Sequence, residues 1–136
     1  MGICSTTYGD LVCRGCKRFA HEIVQWNAYD ETQQTLIWER LRSLRDEVVV
    51  QHVVVVDNER FETFRAQPAF AELKGGELLY AVTRKLGVAG EPMTDAGLAG
   101  TGSAEIDDAL AVLKRVDAEI YSRSKAHYER NFKVPA

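Results

Sequence analysis

The 136-residue chain has little cysteine, and all of it lies at one end. Cys4, Cys13 and Cys16 fall within the first sixteen residues, and the 120 that follow hold none. An odd count excludes a framework of paired disulfides, and thiols clustered in this way suit metal ligation in a reducing compartment. Long apolar runs are also missing. A membrane-crossing helix needs about 20 largely apolar residues; the nearest candidate, Val48 to Val56, is shorter and is interrupted by Gln51 and His52. Met1 to Cys16 lacks the apolar core of a secretory signal. Basic excess is missing too. Seventeen basic against 20 acidic side chains give a net charge of −3, which counts against nucleic acid as a partner. The expectation is a soluble cytoplasmic protein with no membrane partner.

Catalytic signatures are equally scarce. No Ser/His/Asp constellation or paired-carboxylate motif is visible. His21, His52 and His127 are scattered along the chain. Lys74-Gly75-Gly76 lacks the G-x-x-x-x-G-K-[ST] spacing of a phosphate-binding loop. No residue is assigned a catalytic role, and a binding protein is expected rather than an enzyme. What is present is an ordinary globular composition, 46% hydrophobic and 27% charged, in a length that suits one domain.

The informative segment is Cys13-Arg14-Gly15-Cys16. A two-residue spacer lets both thiolates turn toward one ion or cluster, and Gly15 would permit the tight backbone this requires. Arg14, Lys17 and Arg18 form a basic cluster. It reads either as a solvated surface or as charge that offsets bound thiolates. Closed zinc sites and iron–sulfur clusters usually take four ligands, and this chain offers three cysteines. His21 is the nearest further donor, but five helical residues turn it roughly 140° away from Cys16, which favours a surface histidine.

The stretch Gly2-Ile3-Cys4, then Cys13-Arg14-Gly15-Cys16-Lys17-Arg18, then Glu22-Ile23 and Trp26, resembles the small bacterial DUF1289 family over about residues 2–50. That family's pattern is roughly C-x-x-x-C, a spacer, C-x-G-C-x-R, then E-I-x-x-W, and its members are often labelled iron–sulfur proteins. The resemblance implies Cys4, Cys13 and Cys16 as metal and cofactor ligands, and an iron–sulfur cluster with an electron-transfer, cluster-carrier or redox-sensing role. Spacing alone implies only thiolate ligation, so a structural zinc knuckle in a helical interaction module is the alternative. The family's first cysteine would fall before Met1. A mis-assigned start is therefore expected, with a metal-free site as its consequence.

The fold class expected is mostly α: an N-terminal cysteine knuckle, a helical hairpin, further helices and a long C-terminal helix. The segments read as residues 1–50 (knuckle plus hairpin), 51–87 (helical extension), 88–103 (Gly-rich loop) and 104–136 (C-terminal helix). Phe19, Ile23 and Trp26 form the stripe of a first helix starting near Lys17. Asp30 and Gln33 make a capping box for the second, with Ile37, Leu41, Leu44 and Val48 on its apolar face. The valine run through residue 56 is assigned to helix, because no partner strand is visible. Asp57-Asn58 caps a short helix with Phe61 and Phe64 inward, and Pro68 opens another to about Leu73. Glu77 to Leu86 is a helix stopped by Gly87. Ser103 caps the last helix, whose stripe is Ile106, Leu110, Leu113, Val116 and Ile120. That helix either covers the core or meets a partner protein, such as a second copy in a homodimer. Glu22 is expected to pair with Lys17, Arg18 or Arg40.

Overall fold

The computed structural model describes residues 5–102 and 107–132. The described chain is mostly α-helical, in the order α1 (Ala20–Val24), α2 (Glu31–His52), β1 (Val53–Val55), α3 (Asn58–Arg65), α4 (Gly75–Ala89), β2 (Leu98–Gly100) and α5 (Ala109–Asn131), with short 3-10 turns between them. None of the described helices is long and apolar enough to cross a membrane. The chain divides into two compact units, residues 1–43 with 118–136, and residues 44–117.

In the first unit the expected first helix shrinks to the five residues of α1, and Trp26 opens a separate 3-10 turn. The capping box of α2 forms as expected. The Gln33 backbone N–H donates to Asp30 Oδ1 at 2.7 Å, and the Asp30 N–H donates to Gln33 Oε1 at 2.9 Å. Phe19 is buried and collects the C-terminal part of α5. Its ring centroid lies 5.7 Å from His127, 5.5 Å from Tyr128 and 5.3 Å from Phe132.

In the second unit the valine run splits. Helix α2 ends at His52, and Val53–Val55 pairs antiparallel with Leu98–Gly100 in the register Val53↔Gly100, Val54↔Ala99, Val55↔Leu98. The helical assignment of residues 53–55 is thus corrected. The missing partner strand lay in the glycine-rich segment assigned to a loop. Valine fits a pleated strand well, and the pairing lets Val53 and Leu98 be buried. Around this ribbon the core takes Val48 and Val49 from α2, Phe61 from α3, Leu78, Val82 and Leu86 from α4, and Met93 and Ala96 from the turn before β2.

Asp57 caps α3 as expected, its carboxylate accepting the Arg60 N–H at 3.1 Å. Phe61 is buried and Phe64 half-buried. Residues from Pro68 form a 3-10 turn to Phe70 rather than a helix to Leu73. Helix α4 runs through Gly87, which is buried beneath Leu110 and Leu113. It stops at Gly90, whose φ of 70° is the left-handed cap, with the Glu91 N–H returning to the Leu86 carbonyl at 2.9 Å. Ser103 and Ile106 lie outside the described residues. Helix α5 buries Ala109, Val112, Val116 and Ile120, while Leu110 is half exposed. The inward face is therefore rotated from the expected stripe toward Ala109 and Val112.

Gly97 holds the ribbon to α3. Its φ is 69°, and a Cβ there would sit 2.3 Å from the Asp57 carbonyl oxygen and 3.0 Å from the Phe61 nitrogen. Gly97→Ala should therefore cost about 3 kcal/mol, combining left-handed strain with a backbone clash. Gly90→Ala meets no atom within 4 Å and should cost about 1 kcal/mol. Urea unfolding of the two variants checks this, and equal losses would contradict the packing assigned to Gly97.

Candidate metal centre

The knuckle is a tight loop closed at its base by an antiparallel bridge between Val12 and Phe19, both buried. The Ala20 N–H donates to the Leu11 carbonyl at 2.8 Å, and the Cys13 N–H to the Arg18 carbonyl at 2.9 Å. Inside the loop the Lys17 N–H donates to the Cys13 carbonyl at 2.8 Å. The chain reverses immediately after the second cysteine. Cys13 is buried and Cys16 half-buried.

The residue that makes this reversal is not the one expected. Gly15 does not adopt a positive φ; Lys17 does, at 66°, the single described non-glycine residue to do so. Such a backbone costs a β-carbon-bearing residue roughly 1–2 kcal/mol. The cost is offset by the Lys17 ammonium, which turns back over the loop and donates to the Arg14 carbonyl and, at 3.1 Å, to the Gly15 carbonyl. Lys17 is buried, so it is not part of a solvated basic surface. Arg14 is exposed and pairs with Asp10 at 3.2 Å. Its own backbone N–H donates to the Ser5 hydroxyl at 2.7 Å, which ties the first described turn to the knuckle.

Arg18 makes the contact nearest to sulfur chemistry. Its Nε–H donates to Cys16 Sγ at 3.3 Å. Its guanidinium lies 4.6 Å from the Trp26 ring centroid and 5.1 Å from that of Trp38. The two indoles meet edge-on at 5.3 Å. These are the two tryptophans of the chain, and both grip the arginine that bonds the cysteine. Trp26 thus packs against the knuckle through Arg18. The part of Trp38 was not legible, because nothing in the spacing of Cys16, Arg18 and Trp38 implies a contact.

Behind the loop, Glu22 selects Arg40 from its three expected partners. Arg40 Nη1 donates to Oε2 at 2.7 Å and Nη2 to Oε1 at 2.8 Å, while the Phe19 N–H donates to Oε1 at 2.8 Å. The Arg40 guanidinium also covers the Phe19 ring at 4.4 Å. One carboxylate thus starts α1, holds α2 and fixes the aromatic base of the knuckle. Burial pushes the Glu22 carboxyl up, but the Arg40 hydrogen bonds and charge, the Phe19 N–H and His21 outweigh it, and its pKa lies below the ordinary value of 4.5.

His21 has aromatic neighbours: Phe132 at 5.0 Å, Phe19 at 5.7 Å and Tyr128 at 6.4 Å. Cys4 lies outside the described residues. Among the described residues no three His, Cys, Asp or Glu side chains stand together as a metal-holding group. What the structure brings together is one turn carrying two thiols, with an N–H donor aimed at one of them. Two thiols on one turn are the donor type that suits a soft or borderline metal.

Residues 1–45 match the DUF1289 family, described as a protein of unknown function. The matched segment contains the knuckle, Glu22, Arg40 and both tryptophans. No curated protein and no solved structure matches the chain.

Replacing Glu22 tests this frame. Glu22→Gln leaves a half-buried guanidinium without its carboxylate, and should cost about 2 kcal/mol after allowing for the solvent access of Arg40. Because the folded-state pKa of Glu22 is lowered, its contribution is complete above the ordinary carboxyl value and is lost as pH falls through the lower folded value. Thermal unfolding of both proteins between pH 7 and pH 3, expressed as free energies, should show the gap held down to about pH 4.5 and closing below it. A gap independent of pH would refute the role of the charge.

Proposed function

We propose that the N-terminal unit is a thiolate-ligated metal centre, an iron–sulfur cluster in the first reading, that serves electron transfer, cluster carriage or redox sensing. The observation that carries this is the knuckle itself. It places two cysteines on one strained turn and points the Arg18 N–H at a cysteine sulfur. An N–H donor to a ligating sulfur is the kind of outer contact that orients the ligand and tunes the metal. The strain at Lys17 supports the same reading, since backbone strain is retained where the surrounding structure over-determines a functional loop.

Cys13 and Cys16 would supply two ligands. Cys4 is the proposed third, on the family resemblance of the stretch that carries it. When bound, a cluster would supply one-electron chemistry. The chain's own residues would orient the sulfurs, with Lys17 holding the loop carbonyls and Arg18 balancing thiolate charge between the two indoles. A structural zinc centre is the second reading. It is favoured by how little regular structure the described part of the knuckle has, one bridge, the 3-10 turn Ser5–Tyr8 and the five residues of α1, so that ligation would contribute folding energy there.

The deciding measurement is metal and acid-labile sulfide analysis of the chain purified without oxygen from cells supplied with iron and zinc. Iron with sulfide and visible charge-transfer absorption is the expected result, lost in Cys13→Ser and in Cys16→Ser. Colourless protein with stoichiometric zinc would establish the second reading. Neither metal in the unsubstituted chain, with the in-frame upstream segment that the resemblance implies included, would end both.

A further inference from the structure

The second unit carries a feature that the metal reading does not use. Helix α4 presents Glu77, Tyr80, Ala81, Arg84, Lys85 and Val88 along one outward face, at the spacing of a single helical stripe. This face borders a trough of about 640 Å³ that is also lined by Phe70, Leu73 and Arg45. The stripe spans eleven residue steps, or about 16 Å at 1.5 Å per residue. Its floor is apolar, and Val88 at its end is 82% exposed, an arrangement costly for a face meeting only water.

The charge on the rim runs against the charge of the chain. The whole protein is at −3, yet the trough carries Arg84 and Lys85 against Glu77, while its third cation, Arg45, is paired with Asp46 at 3.1 Å. Two of these cations are already laid on aromatic rings: the Arg45 guanidinium 4.6 Å from the Tyr80 centroid and Lys85 Nζ 5.4 Å from that of Phe70. Lys85 also bonds Gln67. Arg84 is exposed and has no ion-pair partner among the described residues. Cations held over rings lose less freedom on meeting an anion.

We infer that this trough docks an acidic amphipathic helix of a partner protein, about three turns long. Its apolar stripe lies over Phe70, Leu73, Ala81 and Val88, and its carboxylates meet Arg84 and Lys85. The length along α4 suits a helix laid in a groove, and the rim charge sets the sign of the partner. The inference is independent of any metal at the knuckle.

The probe is a fluorescent synthetic helix with leucines at i, i+3, i+4 and i+7 and glutamates elsewhere, titrated into the full chain and followed by anisotropy. A twin peptide carrying lysines in place of the glutamates is the control. The expected result is saturable binding of the acidic peptide. That binding should weaken with salt, fall about tenfold or more in R84E/K85E, where like charges now face each other, and fall again in Val88→Glu. These positions are exposed, and circular dichroism confirms that the variants remain folded. Absent binding, equal binding of the lysine twin, or equal binding to R84E/K85E would overturn the inference. It would also be overturned by sedimentation showing a dimer of the chain that R84E/K85E breaks apart, or by dodecanoate filling the trough while the acidic peptide does not.

Discussion

The N-terminal unit depends on one carboxylate. Glu22 is buried and accepts three hydrogen bonds, two from Arg40 and one from the Phe19 N–H. A buried charge without partners is among the most costly features a fold can carry, so these contacts act together. The Phe19 N–H fixes where α1 begins. The Arg40 fork fixes α2 against it and lays a guanidinium on Phe19. Phe19 in turn is half of the bridge that closes the knuckle. The loop bearing Cys13 and Cys16 is therefore held at its base by an ion pair that touches neither cysteine.

The knuckle itself is held by cations used as hydrogen-bond donors. Lys17 takes a left-handed backbone and returns its ammonium to the loop carbonyls. Arg18 stands between two indoles and reaches the Cys16 sulfur. Arg14 lends its backbone to Ser5 and its side chain to Asp10. Three residues that look like one basic patch in the sequence thus have three separate tasks, and only one of them is fully at the surface. A guanidinium suits the middle position because its planar, weakly hydrated group stacks on an indole while its Nε–H stays directed.

Local signals were read well where the chemistry is local. The Asp30/Gln33 box and the Asp57 cap each satisfy backbone N–H groups within one helical turn, so neighbours in sequence suffice to identify them. Legibility failed where the outcome depended on distant residues. Val53–Val55 could be helix or strand until Leu98–Gly100 lay beside it. Gly87 looked like a helix stop, yet it is the flat spot on which Leu110 and Leu113 rest, and the true stop is three residues on. Of the candidate site, the two cysteines of one turn were legible from their spacing. The exchange of Gly15 for Lys17 as the left-handed residue was not, because a lysine pays for that conformation only through bonds its side chain finds in the folded loop.

By itself the sequence determined which chemistry the N-terminal segment can offer: thiols separated by two residues, basic neighbours, and a following helix begun by its own capping box. Those properties follow from residue type and short spacing. Tertiary structure decided which arginine meets Glu22, which indoles enclose Arg18, where the valines find a strand, and which face of α4 stays uncovered. Each of these choices is made between groups far apart in the chain, and the free energy that selects one pairing over another exists only once burial has removed water from all of them.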